Sequence, residues 1–171
     1  LFRKDKPVEK SIAILPFDDL SSDRNSQYLA DGIVEDLLNR ISKINGLKVI
    51  SRTSSEMFRD KGNNSVPDIA EILGVSYVLE GTVQREGNNI RINIQLIDAK
   101  KDDHILSNKY DRKLDEVFKI QSEISNQIAS ELSLVLTDQQ KNALDQNKTK
   151  NLKALEYYQM GRFQSNKRWI E

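Results

Sequence analysis

The most restrictive feature of this 171-residue sequence is an apolar run near its start, where Ile12, Ala13, Ile14, Leu15 and Phe17 follow one another almost without a break. A strand with one face in water alternates apolar and polar residues, whereas an unbroken apolar run has to be covered on both sides. Ser11 to Phe17 therefore predicts a strand inside a layered α/β arrangement. Pro16 brings no amide to a ladder, so pairing is expected to stop there. Asp18-Asp19-Leu20-Ser21-Ser22-Asp23 then reads as a polar loop at the carboxyl end of the strand.

Asn25 and Ser26 are both good amino-terminal caps. After them Tyr28, Leu29, Ile33, Val34, Leu37, Leu38 and Ile41 recur on one helical face, which predicts a first long helix. Asn45-Gly46 ends it, and Leu47 to Ser51 predicts a second, short strand. Arg52 to Ser55 supplies caps and donors, Met57 and Phe58 suggest a helical turn, and Pro67 to Leu73 predicts a brief helix closed by Gly74. Val75 to Gln84 and Ile90 to Ile97 flank Gly87-Asn88-Asn89, a strong hairpin signal. In the second of these strands Ile90, Ile92, Ile94 and Leu96 share one face, while Arg91, Asn93 and Gln95 share the other. His104 to Tyr110 continues the meander as a third strand. From Asp115, the spacing of Val117, Ile120, Ile124, Ile128, Leu132 and Val135 predicts a second long helix, and Thr137-Asp138 can cap a further segment to Leu144.

These elements make an α/β (α+β) fold with a mixed sheet of about five strands and two long helices packed on it. The expected organisation is a linker over residues 1–10, the α/β domain over 11–146, and a linker with the start of a helical repeat over 147–171. The basic stretch with Arg3, Lys4, Lys6 and Lys10 has two readings. It is either the trailing flank of a membrane helix just before residue 1 or an ordinary inter-domain linker.

Several chemistries lack their residues. With 26 basic and 26 acidic side chains the chain offers no net field for a polyanion, so no nucleic acid is expected as a partner. Cysteine is absent, which removes disulfides, thiolate metal sites and thiol nucleophiles. Neither glycine-rich phosphate-loop pattern occurs, and the loop after Phe17 carries Asp18, Asp19 and Asp23 where a phosphate would need donors. The same aspartates miss the calcium-loop spacing at Leu20 and Asp23, so they read as turn residues. His104 is the only histidine and reads as an exposed strand-end residue. No cofactor, metal ligand or catalytic residue is expected.

What remains is a candidate cleft. The carboxyl ends of adjacent strands are where open α/β sheets form clefts. Arg52, Thr53 and Ser54 follow a strand expected beside the first, at the same edge as Asp18. Asp31 sits beside Gly32 inside the first long helix, where glycine costs about 1 kcal/mol relative to alanine. That glycine reads either as a close approach of another backbone or as proximity to a ligand. Asp18, Asp31, Gly32, Arg52, Thr53 and Ser54 form the candidate site for a small ligand or partner segment, the alternative being caps and loop hydrogen bonds.

The ordered blocks Ser11-Ile12-Ala13-Ile14-Leu15-Pro16-Phe17, Ala30-Asp31-Gly32-Ile33 with Glu35-Asp36-Leu37, Arg52-Thr53-Ser54, Tyr77-Val78-Leu79-Glu80-Gly81-Thr82-Val83 and Leu96-Ile97-Asp98-Ala99 resemble a known family. It is the TolB-amino-terminal-like domain that precedes tetratricopeptide repeats in bacterial proteins described as adenylate or guanylate cyclases and in membrane-anchored winged-helix regulators. The resemblance covers about residues 11–136. It implies a mixed sheet carrying helices, no active site, and a regulatory role in sensing or protein contact on the periplasmic side of a membrane, with a cytoplasmic site as the alternative. Leu106 stands where the family often has tryptophan. Leu155, Tyr158, Gly161 and Phe163, followed by Trp169, resemble the start of a tetratricopeptide unit, and Glu171 reads as a cut within the array. A lone repeat helix has to dock on its own domain or on a second copy, so a homodimer is one expectation. The competing functions are a small cyclase or hydrolase and a structural spacer.

Overall fold

The computed structural model describes residues 10–23, 26–134, 136–145 and 152–167. Five strands lie in the order β3 (Leu47–Val49), β1 (Lys10–Ile14), β4 (Tyr77–Glu86), β5 (Asn89–Asp98), β6 (Asp103–Lys113), and a sixth, β2 (Asp18–Asp19), also pairs with β4. β1 runs parallel to β3 and β4, and β4, β5 and β6 form an antiparallel meander. Lys10, assigned to the linker from sequence, is the first residue of β1.

The apolar run is covered on both faces, as its composition requires. Ile12, Ile14 and Phe17 enter the larger core, packed with α1 (Gln27–Ile41) and α4 (Val117–Glu131). Leu15 enters a smaller core with Val78, Ala99, Phe58, Ile69 and Ala70, beneath α2 (Arg52–Glu56) and α3 (Val66–Leu73). Each fully buried Ile, Leu or Phe contributes about 1.5–3 kcal/mol. Local signals set the ends of these helices. Ser65 and Asp68 form a capping box, Pro67 lies in the first turn of α3, and Gly74 closes it at φ 66°. Ser26 occupies the cap position of α1 but its hydroxyl makes no cap bond, and Asn25 lies outside the described residues.

Pairing does not end at Pro16. The Leu15 amide donates to the Leu79 carbonyl at 2.9 Å, the chain steps over Pro16 and Phe17, and pairing with β4 resumes at Asp18 opposite Thr82 and Asp19 opposite Val83. Ile14 lies opposite Leu79, so β1 spends one residue more than β4 across the gap. The missing amide is absorbed as a bulge, and the first two residues of the segment expected to be a loop, Asp18 and Asp19, form a short strand on β4.

The antiparallel half behaves as its alternation predicts. Ile90, Ile92, Ile94 and Leu96 are buried in the larger core, whereas Arg91 is exposed. Glu86 pairs with Asn89, leaving a two-residue turn with Gly87 at φ 59°. Arg40 and Gln140, neither foreseen, tie later elements back to α1 and to the turn after it, where Gln140 reaches the Lys43 carbonyl at 3.4 Å. Arg40 is buried on α1 and donates to the Leu144 carbonyl in α5 (Asp138–Asp145) and to Ser122 Oγ at 3.1 Å. Burial lowers its pKa from the ordinary value, opposed by Asp36 and Asp145. Thr137 and Gln140 cap α5 reciprocally, at 2.9 and 3.2 Å.

Gly81 is where β1, β2 and β5 converge on β4. A Cβ there would lie 2.6 Å from the Asn93 carbonyl oxygen and 2.9 Å from the Phe17 ring, which is folded over the bulge. Gly81→Ala is expected to destabilise the domain by about 1–3 kcal/mol. The measurement is a urea denaturation midpoint that falls at unchanged m-value. An unchanged midpoint would show that the strands can separate there without cost.

Candidate functional site

Asp31, on the second turn of α1, is the centre of a charged cluster at the carboxyl end of β1 and β3. Its carboxylate is buried and accepts from Gln27 Nε2 at 3.0 Å and Arg59 Nη2 at 3.0 Å, with Arg52 Nη2 at 3.8 Å. Arg52 also donates to Glu35 at 3.0 Å and lies 3.9 Å from Glu56, which is in turn bonded to Arg59. Gln27 also reaches the Phe17 carbonyl at 3.4 Å. The bulge after β1, the first half of α1 and the whole of α2 are thereby joined through one polar network.

Three carboxylates face two guanidinium groups, so the cluster holds one negative charge in excess. Exposure grades across it, with side-chain values of 8% for Asp31, 27% for Arg52 and 38% for Arg59. Burial works against the Arg59 charge, yet hydrogen bonds and fields from Glu56 and Asp31 hold its pKa above the ordinary value. All five charged groups sit in ion pairs. The arrangement can bind by trading an internal partner for an external one, but it offers no unpaired nucleophile or base.

Of the residues expected in the cleft, the structure brings together Asp31 and Arg52. Asp18 is exposed on β2, opposite Thr82, and among the described residues no bond joins it to either. Ser54 belongs to the cap of α2, its amide 3.4 Å from Ser51 Oγ, and Thr53 is exposed beside the cluster. Gly32 faces away, toward α6 (Leu152–Lys167), where a Cβ would overlap the Gln159 side chain. The approach is thus from a helix side chain. Gln159 is buried, and Arg85 draws the same helix in by bonding Glu156 at 2.8 Å and the Tyr28 hydroxyl at 3.2 Å. Trp169 lies outside the described residues. Glu35, Glu56, Arg59 and Gln27 were missed, although Asp31/Glu35, Arg52/Glu56 and Gln27/Asp31 all carry the four-residue spacing that places side chains on one helical face.

His104 is exposed at the start of β6, opposite Ile97. Among the described residues no group of three or more His, Asp or Glu side chains is placed to hold a metal ion, and no helix is long and apolar enough to cross a membrane.

Comparison with known proteins bears on this geometry. The chain is 45% identical over 134 residues to "Putative adenylate cyclase 3" of Rhizobium meliloti, covering 77% of the chain but only 22% of that relative. Among solved structures, TolB from Acinetobacter baumannii superposes with a TM-score of 0.55 at 16% identity, over 72% of this chain and 28% of that one. Lipoprotein GNA1162 from Neisseria meningitidis gives 0.51 at 20% identity, over 70% of this chain and 96% of that one. At these identities the two structures share the fold. The profile of the family described as HilA/YgeH-like transcriptional regulator, second domain, matches residues 8–131, from β1 through α4, and the chain therefore belongs to that family.

Proposed function

We propose that this domain is a non-catalytic regulatory or sensory module of a larger bacterial signalling protein, and that the Asp31 cluster is where it meets a protein partner or small ligand. The observation that carries the reading is the state of the cleft. Its charges are all internally paired, they are graded from buried to exposed, and their arginines lie at the rim. An incoming carboxylate or phosphate can take over Arg52 or Arg59, and an incoming cation can take over Glu35 or Glu56. Either exchange needs only rotamer changes. The family's description as part of a transcriptional regulator supports a regulatory role, and the cyclase-named relative, of which this domain matches about a fifth, supports placing the output in other segments.

α1 gives the module a route to those segments. Asp31 and Gly32 are neighbours in sequence on one helix, the first held by Arg52 of α2 and by Arg59 beyond it, and the second pressed on α6. Rearrangement at the cluster therefore shifts the seat of α6, whose exposed Tyr157 and Met160 face outward. In our reading α6 is the first helix of a tetratricopeptide array. We place the domain outside the cytoplasm in a membrane-anchored protein, as the basic stretch before β1 and the family resemblance suggest.

Incubating the isolated chain with ATP or GTP and Mg²⁺ or Mn²⁺ is expected to yield no cyclic nucleotide or hydrolysis above buffer; robust turnover would make the domain an enzyme. In the full-length protein, Arg52→Ala is expected to lower regulated output at least about fivefold while a thermal melt still shows a folded domain, and Lys100→Ala, on an exposed turn, serves as the control. Equal output from both variants would leave the domain a spacer. Gly32→Leu is expected to displace α6, read as faster amide exchange across 152–167 with 77–113 unchanged. Unaltered exchange in α6 would break the proposed route.

A further inference from the structure

The two edges of the sheet differ sharply. β3 closes one side with three residues, short enough to offer no template. On the other side β6 is eleven residues long and last in the strand order. Long open edges are ordinarily blunted by proline, a bulge, a covering segment or charged side chains, lysine above all; the charges of β6 are of both signs, Lys109 and Asp111 among them. β6 has no proline, its one irregularity lies at its start, opposite Leu96 and Ile97, and no described strand flanks it.

The direction of its backbone groups follows from one bond. The Leu114 amide donates to the Asn88 carbonyl at 2.9 Å, and bonding alternates along an antiparallel pair. Arg112, Tyr110 and Asn108 therefore turn their amides and carbonyls toward Ile90, Ile92 and Ile94, while Lys113, Asp111, Lys109 and Ser107 turn theirs outward. The Lys113 amide confirms the parity, because it is taken by Glu116 Oε2 at 3.3 Å. The outward amides and carbonyls of Ser107, Lys109 and Asp111 have no partner among the described residues. Their side chains stand on the uncovered polar face, with exposures of 59% for Lys109 and 47% for Asp111.

We propose that β6 is a homodimerisation edge, on which a second copy of this chain pairs antiparallel through Ser107, Lys109 and Asp111. Self-complementary charge selects that occupant and its register. A two-fold axis at Tyr110 sets Lys109 of each copy opposite Asp111 of the other, twice over, with Ser107 opposite Lys113. Moving the axis to Lys109 sets that lysine against its own copy, and moving it to Asn108 leaves Asp111 facing Ile105. Opposite charges across a strand pair stabilise it and like charges oppose it. Asp111 already carries Arg91 at 2.6 Å and Lys109 of its own chain at 3.4 Å, so the joined sheets would share one alternating row of charge across the seam. The result is a closed, isologous interface with its axis beside the larger core.

Sedimentation equilibrium of the whole chain over a wide concentration range tests this. A reversible monomer–dimer equilibrium is expected, and K109D or D111K alone should weaken it by about tenfold or more, each now placing like charges opposite one another twice. An equimolar mixture of K109D and D111K chains should associate as tightly as the unaltered protein, because every lysine then meets an aspartate. Lys109→Pro removes an outward amide without touching the β5 ladder, and should abolish the dimer at unchanged far-ultraviolet circular dichroism. A chain that stays monomeric throughout, or a dimer indifferent to Lys109→Pro and to mixing, overturns the proposal. So does a mixture that associates no better than the two variants apart.

Discussion

β4 has to satisfy two kinds of partner at once, a parallel strand on one side and an antiparallel one on the other, and the rest of the domain is arranged around that double commitment. On its β1 side, the run Ile12 to Leu15 brings in helices on both faces. On its β5 side, only one face is dry. The transition falls at Gly81, where the Phe17 ring fills the place a side chain would occupy. The Phe17 carbonyl within the bulge also accepts from Gln27, the first residue of α1, at 3.4 Å, which ties the bulge to the charged cluster.

The cleft in turn shows why buried charge is tolerated here. Asp31 is removed from most of its water, a loss costly unless every lone pair is met. Gln27 on α1, Arg52 on α2 and Arg59 just past the end of α2 meet them, and Glu35 and Glu56 keep the arginines from being overcommitted to a single acid. Such a network stabilises less than an apolar patch of equal area would, but it ties Arg52 of α2 to Asp31 and Glu35 of α1. The proposed role in recognition rests on this, since pairs at the rim can be exchanged while the apolar cores stay in place.

Much of this was legible in the residues, and what escaped did so for physical reasons. Period-two alternation in β5 and the three- and four-residue steps in α1 and α4 report burial directly, so those elements appeared where they were expected, except that α4 ends at Glu131, short of Leu132, and Val135 lies outside the described residues. Proline was a weaker stop signal than it looked, because a missing amide ends pairing only if the strand cannot bulge around it, and the resumed register at Asp18 depends on β4, far away in sequence. Gly32 was read as a close approach of another backbone or of a ligand, whereas the Gln159 side chain lies there, and a partner 127 residues on cannot be named from local pattern. Within the cluster, Asp31 and Arg52 stood out for their neighbours, whereas Glu35, Glu56 and Arg59 resembled ordinary solvated helix charges until α1 and α2 were set side by side. Arg40 was hidden for the same reason, its task being to hold a carbonyl of a later helix.

The central claim is that the Asp31 cluster serves recognition beyond its role in packing, and a charge reversal separates the two. Arg52 and Glu35 are 3.0 Å apart, so R52E alone should lower both the melting temperature and the output of the full-length protein. Adding E35R restores an internal pair of opposite orientation. The account predicts that the double variant recovers its melting temperature while output stays low, because an outside partner would now find each charge in the other's place. Recovery of output in step with stability would contradict it, and would reduce the cluster to a brace between two helices.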